Sequence, residues 1–264
     1  MENDLRNEGM WEEINHNRNF MKCPDLDVEL HSDQDKKMPQ PPLNIAAKGE
    51  VIELPTQLEM EIINPSYTSL LDSRRSERFY DKKAYLAQNQ LAYLLWSIQG
   101  IQEIRGEGYA SLRPVPSGGA RHPFELYFFA RAVEGLRQGI YHYLPQEHIG
   151  EKRSTIEFHG EIVDYKERVT RMLAGQKWAA AAQIVLFFSC VPYRGEWRYN
   201  TFAHRVMLID LGHAGQNAML SAAALGLESC CIAAYDQVQC DEALGLDGYE
   251  EYTVYACAVG KPRH

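Results

Sequence analysis

An α+β fold is expected, from two observations. Short apolar runs of strand length, two of them joined through a glycine-containing link, sit among longer segments whose apolar residues recur at helical spacing. This mixture of hairpins and long helices does not follow a regular βαβ repeat. The chain has 264 residues, 45% hydrophobic and 24% charged, enough for one large domain or a domain with a poorly ordered leader.

Residues 1–45 are rich in Asn, Asp, Glu, Lys and Pro, with Pro39, Pro41 and Pro42 near the end. They read as a polar leader, partly disordered or an arm lying on a partner subunit, ahead of a folded domain over 46–264. The core is expected to begin near Ser66. A short helix is predicted through Ser69-Leu70-Leu71, stopping near a basic cluster. Leu91, Leu94, Leu95 and Ile98 form one apolar helical face, and Gly100 is a stop. Pro116–Gly119 is a loop. Residues 124–132 and 138–144 are the strands of a hairpin. A helix is predicted over 161–173. The continuous apolar run 184–191 is a central strand. Residues 206–225 make a long, Ala-rich buried helix, 225–236 an irregular loop of small residues, and 252–259 a final strand.

A formal net charge of -9 and a pI of about 5.5 give an acidic surface that repels phosphate backbones, so no nucleic-acid partner is expected. No run of 18 apolar residues suggests a membrane span. Residues 1–40 lack the apolar core of a signal peptide, and a cytoplasmic location is expected. The six cysteines form no C-x-x-C pair, so no metal site is expected. Cys190 and Cys257 lie in apolar runs and read as core residues.

Five segments carry chemistry. Arg74-Arg75-Ser76-Glu77-Arg78 suits a phosphate, because guanidinium groups are permanent forked donors and serine adds a short hydrogen bond; a solvated basic turn fits it as well. In Arg113-Pro114-Val115-Pro116-Ser117-Gly118-Gly119-Ala120, two glycines let the backbone approach a flat ligand, or simply make a tight turn. Within Gly212-His213-Ala214-Gly215-Gln216-Asn217, polar groups in an apolar helix need partners, from a ligand or from nearby backbone. Leu225 to Asp236 offers small side chains around Cys231, Ile232, Ala233 and Ala234. Gly260-Lys261-Pro262-Arg263 is a basic end, able to add phosphate contacts or to fray.

In this order the motifs R-R-S-x-R, L-L-W-S-I-Q-G, R-x-x-P-S-G-G-A, G-H-x-x-Q-N, L-G-L and terminal G-K-P resemble the nitroreductase-like flavoproteins over roughly residues 66–263. The P-S-G-G-A and G-H-x-x-Q-N pieces resemble the SagB-type dehydrogenase branch, which includes the azoline oxidases of thiazole/oxazole-peptide synthesis. The resemblance implies a mostly antiparallel central sheet surrounded by helices, an intertwined homodimer, and bound FMN at the subunit interface. It implies that Arg74, Arg75, Ser76 and Arg78 hold the phosphate and ribityl chain, completed by Lys261 or Arg263. Pro116, Ser117, Gly118 and Gly119 would line one side of the flavin ring. Cys231, Ile232, Ala233 and Ala234 would sit at its other edge, with Gln216 in the cofactor-binding set. NADH or NADPH would reduce the FMN in a ping-pong cycle, and a nitro, quinone or enone acceptor would take the electrons.

The azoline oxidases resemble one another in a Lys-Tyr pair before the G-H-x-x-Q-N helix. Here the stretch reads Arg198-Tyr199-Asn200. Tyr199 remains a candidate acid or base, while Arg198 is a poor base that would bind or stabilise negative charge. Both would equally well cap a surface loop. Two further readings therefore stand beside the reductase. One is an azoline-oxidising peptide dehydrogenase with a cyclodehydratase partner. The other is a flavin-binding protein without turnover.

Overall fold

The computed structural model describes residues 8–22, 31–56, 66–145 and 155–263. In chain order its elements are α1 (Glu8–Met21), β1 (Glu50–Glu53), α2 (Tyr67–Ser73), α3 (Gln88–Gln99), β2 (Glu103–Arg105), β3 (Ala110–Leu112), β4 (Phe124–Ala130), β5 (Gly139–Leu144), β6 (Thr155–Gly160), α4 (Tyr165–Met172), β7 (Ile184–Cys190), α5 (Tyr193–Tyr199), α6 (Ala203–Ala224), β8 (Glu228–Ile232), α7 (Gln237–Leu244) and β9 (Tyr252–Gly260). The fold is α+β. Seven strands form one sheet in the order β1-β6-β5-β4-β7-β9-β8, with every neighbouring pair antiparallel. β2 and β3 make a small separate hairpin.

The apolar runs read as central strands, β4 and β7, are buried along their whole length. Helices cover both faces of the sheet, so a strand with period-two alternation still carries apolar groups on each side. Leu126 and Phe128 point into one core with Leu186 and Phe188. There they meet Leu91, Leu94, Leu95 and Ile98 of α3, and Met207, Leu211, Ala214, Ala218 and Ala222 of α6. Tyr127, Phe129, Val185 and Phe187 point the other way, into a second core closed by Val169 and Met172 of α4 and Cys240 and Leu244 of α7. The alanines of α6 recur every four residues, which lets its backbone lie close to α3 and the sheet.

Local signals end the helices. Ser66 caps α2, its hydroxyl accepting from Ser69 N–H, and Asp236 caps α7, accepting from Gln239 N–H at 3.0 Å. Gly100 terminates α3 and Gly245, at φ 73°, terminates α7. Residues 225–236, expected as an irregular loop, instead contain strand β8, paired with β9 from Glu228↔Gly260 to Ile232↔Ala256. Small side chains hid it, because burial and pairing on the edge of β9, not intrinsic preference, make this segment a strand.

Within the stretch read as a leader, residues 1–7 and 23–30 lie outside the described residues. The remainder is tied to its own chain. Arg205 Nε donates to the Met21 carbonyl at the end of α1. Gln34 N–H donates to Trp197 O at 2.9 Å, and Trp197 Nε1 returns a bond to Met38 O at 3.0 Å. Arg113, buried beneath this segment, donates to Leu43 O and to Asn44 Oδ1. Among the described residues no helix is long and apolar enough to cross a membrane.

Candidate active site

The arginine–serine segment leaves the end of α2 and runs beside the edge strand. Ser76 bridges Ser229 of β8, and Glu77 N–H donates to Ser229 O at 3.0 Å. A groove of about 220 Å³ lies there, lined by Arg74 and Arg75 with Met219 and Ala223 of α6 and Ser229. Arg75 Nη1 is turned onto the carbonyls of Asp72 and Arg74. Arg78 lies 5.4 Å from the Trp178 ring centroid. Arg74, Arg75, Arg78 and Arg263 enter no ion pair among the described residues. Their charges are therefore available to an anion.

The basic C-terminus joins the same region through a residue the sequence did not flag. Gln183 is fully buried; its Oε1 accepts from Lys261 N–H at 2.8 Å while its Nε2 donates to Asp81 O and Ala84 O. Tyr80 bridges Pro262, and Asp81 N–H donates to Lys261 O. A Cβ at Gly260 would stand 2.3 Å from Gln183 Oε1, so this clamp requires glycine. Lys261 and Arg263 thus sit beside the segment Tyr80–Asp81 that follows Arg78.

Cys231 lies on β8 opposite Cys257 of β9 and against α6, its thiol 3.8 Å from Gly215 O. A hydrogen bond from Cys257 lowers the Cys231 thiol, outweighing burial, which raises it; Arg74 adds to the lowering. The same contact, with burial, raises Cys257 well above its ordinary value. Ile232 points into the second core and is buried, so only its backbone is open to a ligand, whereas Ala233 and Ala234 are exposed.

The Pro116–Gly119 loop lies further up α6. Asp210 holds it: Ser117 Oγ–H donates to Asp210 Oδ2 at 2.7 Å, and Gly118 N–H donates to the same carboxylate. Ser117 Oγ in turn accepts from His122 N–H at 2.9 Å. Burial raises the Asp210 carboxyl, and the bonds from Ser117 and Gly118 oppose it. A Cβ at Gly118 would stand 2.4 Å from Val206 Cγ1, and one at Gly119, at φ 57°, would strike Arg198 and Tyr199. Ala120 and His122 also hold positive φ, 54° and 43°; left-handed non-glycine residues of this kind cluster at functional sites. Asp210 went unnoticed in the sequence, although an acid inside an apolar helix was the available signal.

Arg198 and Tyr199 lie against the glycine loop. They end helix α5 and press on Gly119. Arg198 Nη1 donates to Tyr109 OH at 2.6 Å. Burial pulls the Arg198 guanidinium down, but Tyr109 and Tyr199 more than offset it, so Arg198 stays a cation. The expectation that α6 is buried on most faces is also corrected. Asn217 donates to Ser97 O, but His213 and Gln216 are exposed on the same helix as Leu208 (55%) and Ile209 (49%). His213 and Gln216 need no buried partner because their side of the helix faces outward, whereas Asn217 finds one in Ser97 O.

One chain therefore places Arg74, Arg75, Ser76, Arg78 and Cys231 beside β8, sets Lys261 and Arg263 just past β9 against Tyr80 and Asp81, and holds Pro116–Gly119 with Arg198 and Tyr199 near the start of α6. Asp210 stands nine residues before Met219 and thirteen before Ala223, so the loop and the arginine groove are about 14–20 Å apart along the helix. A larger cleft of about 610 Å³, lined by Lys82, Lys83, Arg131 and Tyr165, opens on the opposite face of the sheet and touches none of these groups.

The Nitroreductase family model matches residues 71–261, which contain both clusters as far as Lys261. The chain belongs to the nitroreductase family. A Methanocaldococcus jannaschii protein bearing the name nitroreductase MJ1384 is 29% identical over 210 residues, covering 80% of this chain and 96% of its own. The microcin B17-processing protein McbC of Escherichia coli is 23% identical over 198 residues, 70% of each chain, which supports the resemblance to the SagB-type branch. Among solved structures, the E. coli microcin synthetase McbBCD complex with truncated pro-MccB17 bound shares the fold. Its TM-score is 0.58 at 18% identity, covering 97% of this chain and 93% of that one.

Proposed function

We propose that this nitroreductase-family protein is an FMN-dependent oxidoreductase that passes electrons from NADH or NADPH to a small organic acceptor. The observation that carries this reading is the set of arginines beside β8 that have no ion-pair partner among the described residues, with Ser76 among them and the Gln183-clamped Lys261-Pro262-Arg263 end beyond. Permanent cations and a hydroxyl suit a phosphate at one end; exposed Ala233 and Ala234 and the adjacent strand end suit a flat ring. FMN bound there would supply hydride and electron transfer, while the protein binds, orients and tunes it. In this reading Arg74, Arg75, Ser76 and Arg78 hold the phosphate, with Lys261 or Arg263 beside them. Backbone N–H groups of Cys231 to Ala234 face the ring edge.

The glycine loop completes the site from a second copy of the chain. Its distance from the arginine groove within one chain, and the exposed Leu208 and Ile209 on α6, support a homodimer with α6 at the interface. Pro116, Ser117, Gly118 and Gly119 then lie over the ring, in the position Asp210 sets. Arg74→Ala and Ser76→Ala are each expected to lower FMN affinity by at least about tenfold, one charge-assisted contact being worth about 1.5–3 kcal/mol. Equilibrium dialysis with FMN checks it; full occupancy in both variants would contradict the assignment.

A second reading is favoured by the McbC likeness: an azoline-oxidising peptide dehydrogenase working with a cyclodehydratase. Here Tyr199, above Gly119, moves a proton and Arg198 stabilises negative charge. This reading expects oxidation of an azoline peptide without added NAD(P)H. It also expects Tyr199→Phe to slow turnover while leaving FMN bound, and an unchanged rate would remove Tyr199 from the chemistry.

A further inference from the structure

A chain of titratable groups lies on the sheet face away from α6, remote from β8. His142 of β5 stands directly opposite Glu157 of β6 in the strand register, and His159, two residues on, shares the same face. His159 Nε2 is 3.1 Å and His142 Nδ1 is 3.8 Å from the same oxygen, Glu157 Oε2. One ligand atom from each of the three residues falls within 4.8 Å of the others. Ligand atoms about 2.0–2.1 Å from a tetrahedral ion stand about 3.4 Å apart, so only small side-chain closure separates this cluster from a coordination site.

Part of the surrounding bonding has the orientation that coordination requires, while His159 Nε2, which donates to Glu157 Oε2, would give up that proton to bind an ion. Glu125 Oε2 lies 2.9 Å from His142 Nε2, and Arg194 Nη2 and Ile45 N–H donate to Glu125 Oε1. An ionised carboxylate can only accept, so His142 Nε2 bears a proton toward Glu125 and its Nδ1 is the nitrogen that faces Glu157 and would ligate an ion. This is the carboxylate–histidine arrangement that supports metal ligands. Glu157 Oε1 is occupied by the amides of Lys48 and Gly49, which leaves Oε2 facing the two imidazoles. Glu157 is 4% exposed and His142 1%, but His159 is 29% exposed, which gives an ion a way in and water a fourth position.

We propose that His142, Glu157 and His159 bind a borderline divalent transition ion, zinc in the first instance, as a His₂Glu site with water completing the tetrahedron. Nitrogen and carboxylate donors with one open position suit such an ion better than calcium or magnesium, which take oxygen sets. The bound ion would fasten β5 and β6 to the segment around Lys48 and Gly49.

The test uses the full chain freed of metal by chelator and dialysis. Zinc is titrated by calorimetry, and cobalt(II) is titrated with the visible spectrum recorded. One zinc per chain is expected, with a rise in the thermal midpoint and a cobalt spectrum of nitrogen and oxygen ligands. His159→Gln, at the accessible edge, should weaken zinc binding on the order of a hundredfold, at or above the top of the range for losing an outer partner. Cys231→Ser should leave zinc binding unchanged. Circular dichroism confirms that each variant is folded, and FMN content reads the flavin site independently of the metal. If His159→Gln fails to fold, the cobalt spectrum of the unaltered chain decides. No stoichiometric zinc, equal affinity in folded His159→Gln, or thiolate-to-cobalt bands would each overturn the proposal.

Discussion

His122, just past the glycine loop, carries a buried imidazole that ties the stability of the chain to pH. Its backbone N–H donates to Ser117 Oγ, and burial, reinforced by Arg113, pushes its imidazole down to about 2. The folded value lies below the ordinary 6.5, so the unfolded chain binds one more proton than the folded chain in the interval between them. The stability tied to neutral His122 is complete above pH 6.5 and is lost as the pH falls toward 2. Urea unfolding between pH 7 and 4 should show a slope of up to about 1.4 kcal/mol per pH unit from this residue. His122→Asn, chosen because asparagine tolerates positive φ, should flatten that slope, and an unaltered slope would clear His122 of the effect. The sequence made Ser117, Gly118 and Gly119 visible as a motif. His122, Asp210 and Gln183 stayed hidden because their partners come from distant segments, and no local spacing records such bonds.

At the scale of elements, helix α6 and the glycine loop act together through Asp210. Asp210→Ala would strip the acceptor from Ser117 Oγ–H and Gly118 N–H, leaving part-buried donors without a partner. Destabilisation of about 1–3 kcal/mol is expected in urea unfolding, together with weaker FMN binding. A variant as stable as the parent would mean that Val206 and Tyr199 hold the loop without it. Periodicity made α3 legible, because Leu91, Leu94, Leu95 and Ile98 all enter one core, and the hairpin β4–β5 was legible from its aromatic and β-branched runs. β8 was not, since Ser229, Cys230 and Cys231 carry no strand preference and become a strand only by pairing with β9. The environment of α6 was misjudged for the opposite reason: alanine-rich composition signals close packing on one face and says nothing about the other, where Leu208, Ile209 and Gln216 are exposed. β1 and β6 escaped notice as well, and with them the His142–Glu157 pairing across β5 and β6.

Over the whole molecule, three layers leave the sheet edge at β8 beside an exposed helix face, and this is where the cationic segments converge. Within region 1–45, read from composition as partly disordered or an arm on a partner subunit, Met38, Leu43 and Asn44 bond to Trp197 and Arg113 of the same chain. Composition alone could not show this, because the polar groups of that segment meet buried polar partners rather than water. At this scale the molecule is proposed to be a flavin enzyme. The visible absorption spectrum of the purified protein, recorded before and after anaerobic NADH and NADPH, tests it most directly. Flavin bands that bleach with either donor are the predicted result. A protein that shows no flavin bands, even after incubation with FMN and removal of the excess, would contradict the account and leave the Arg74 cluster a basic turn at the sheet edge.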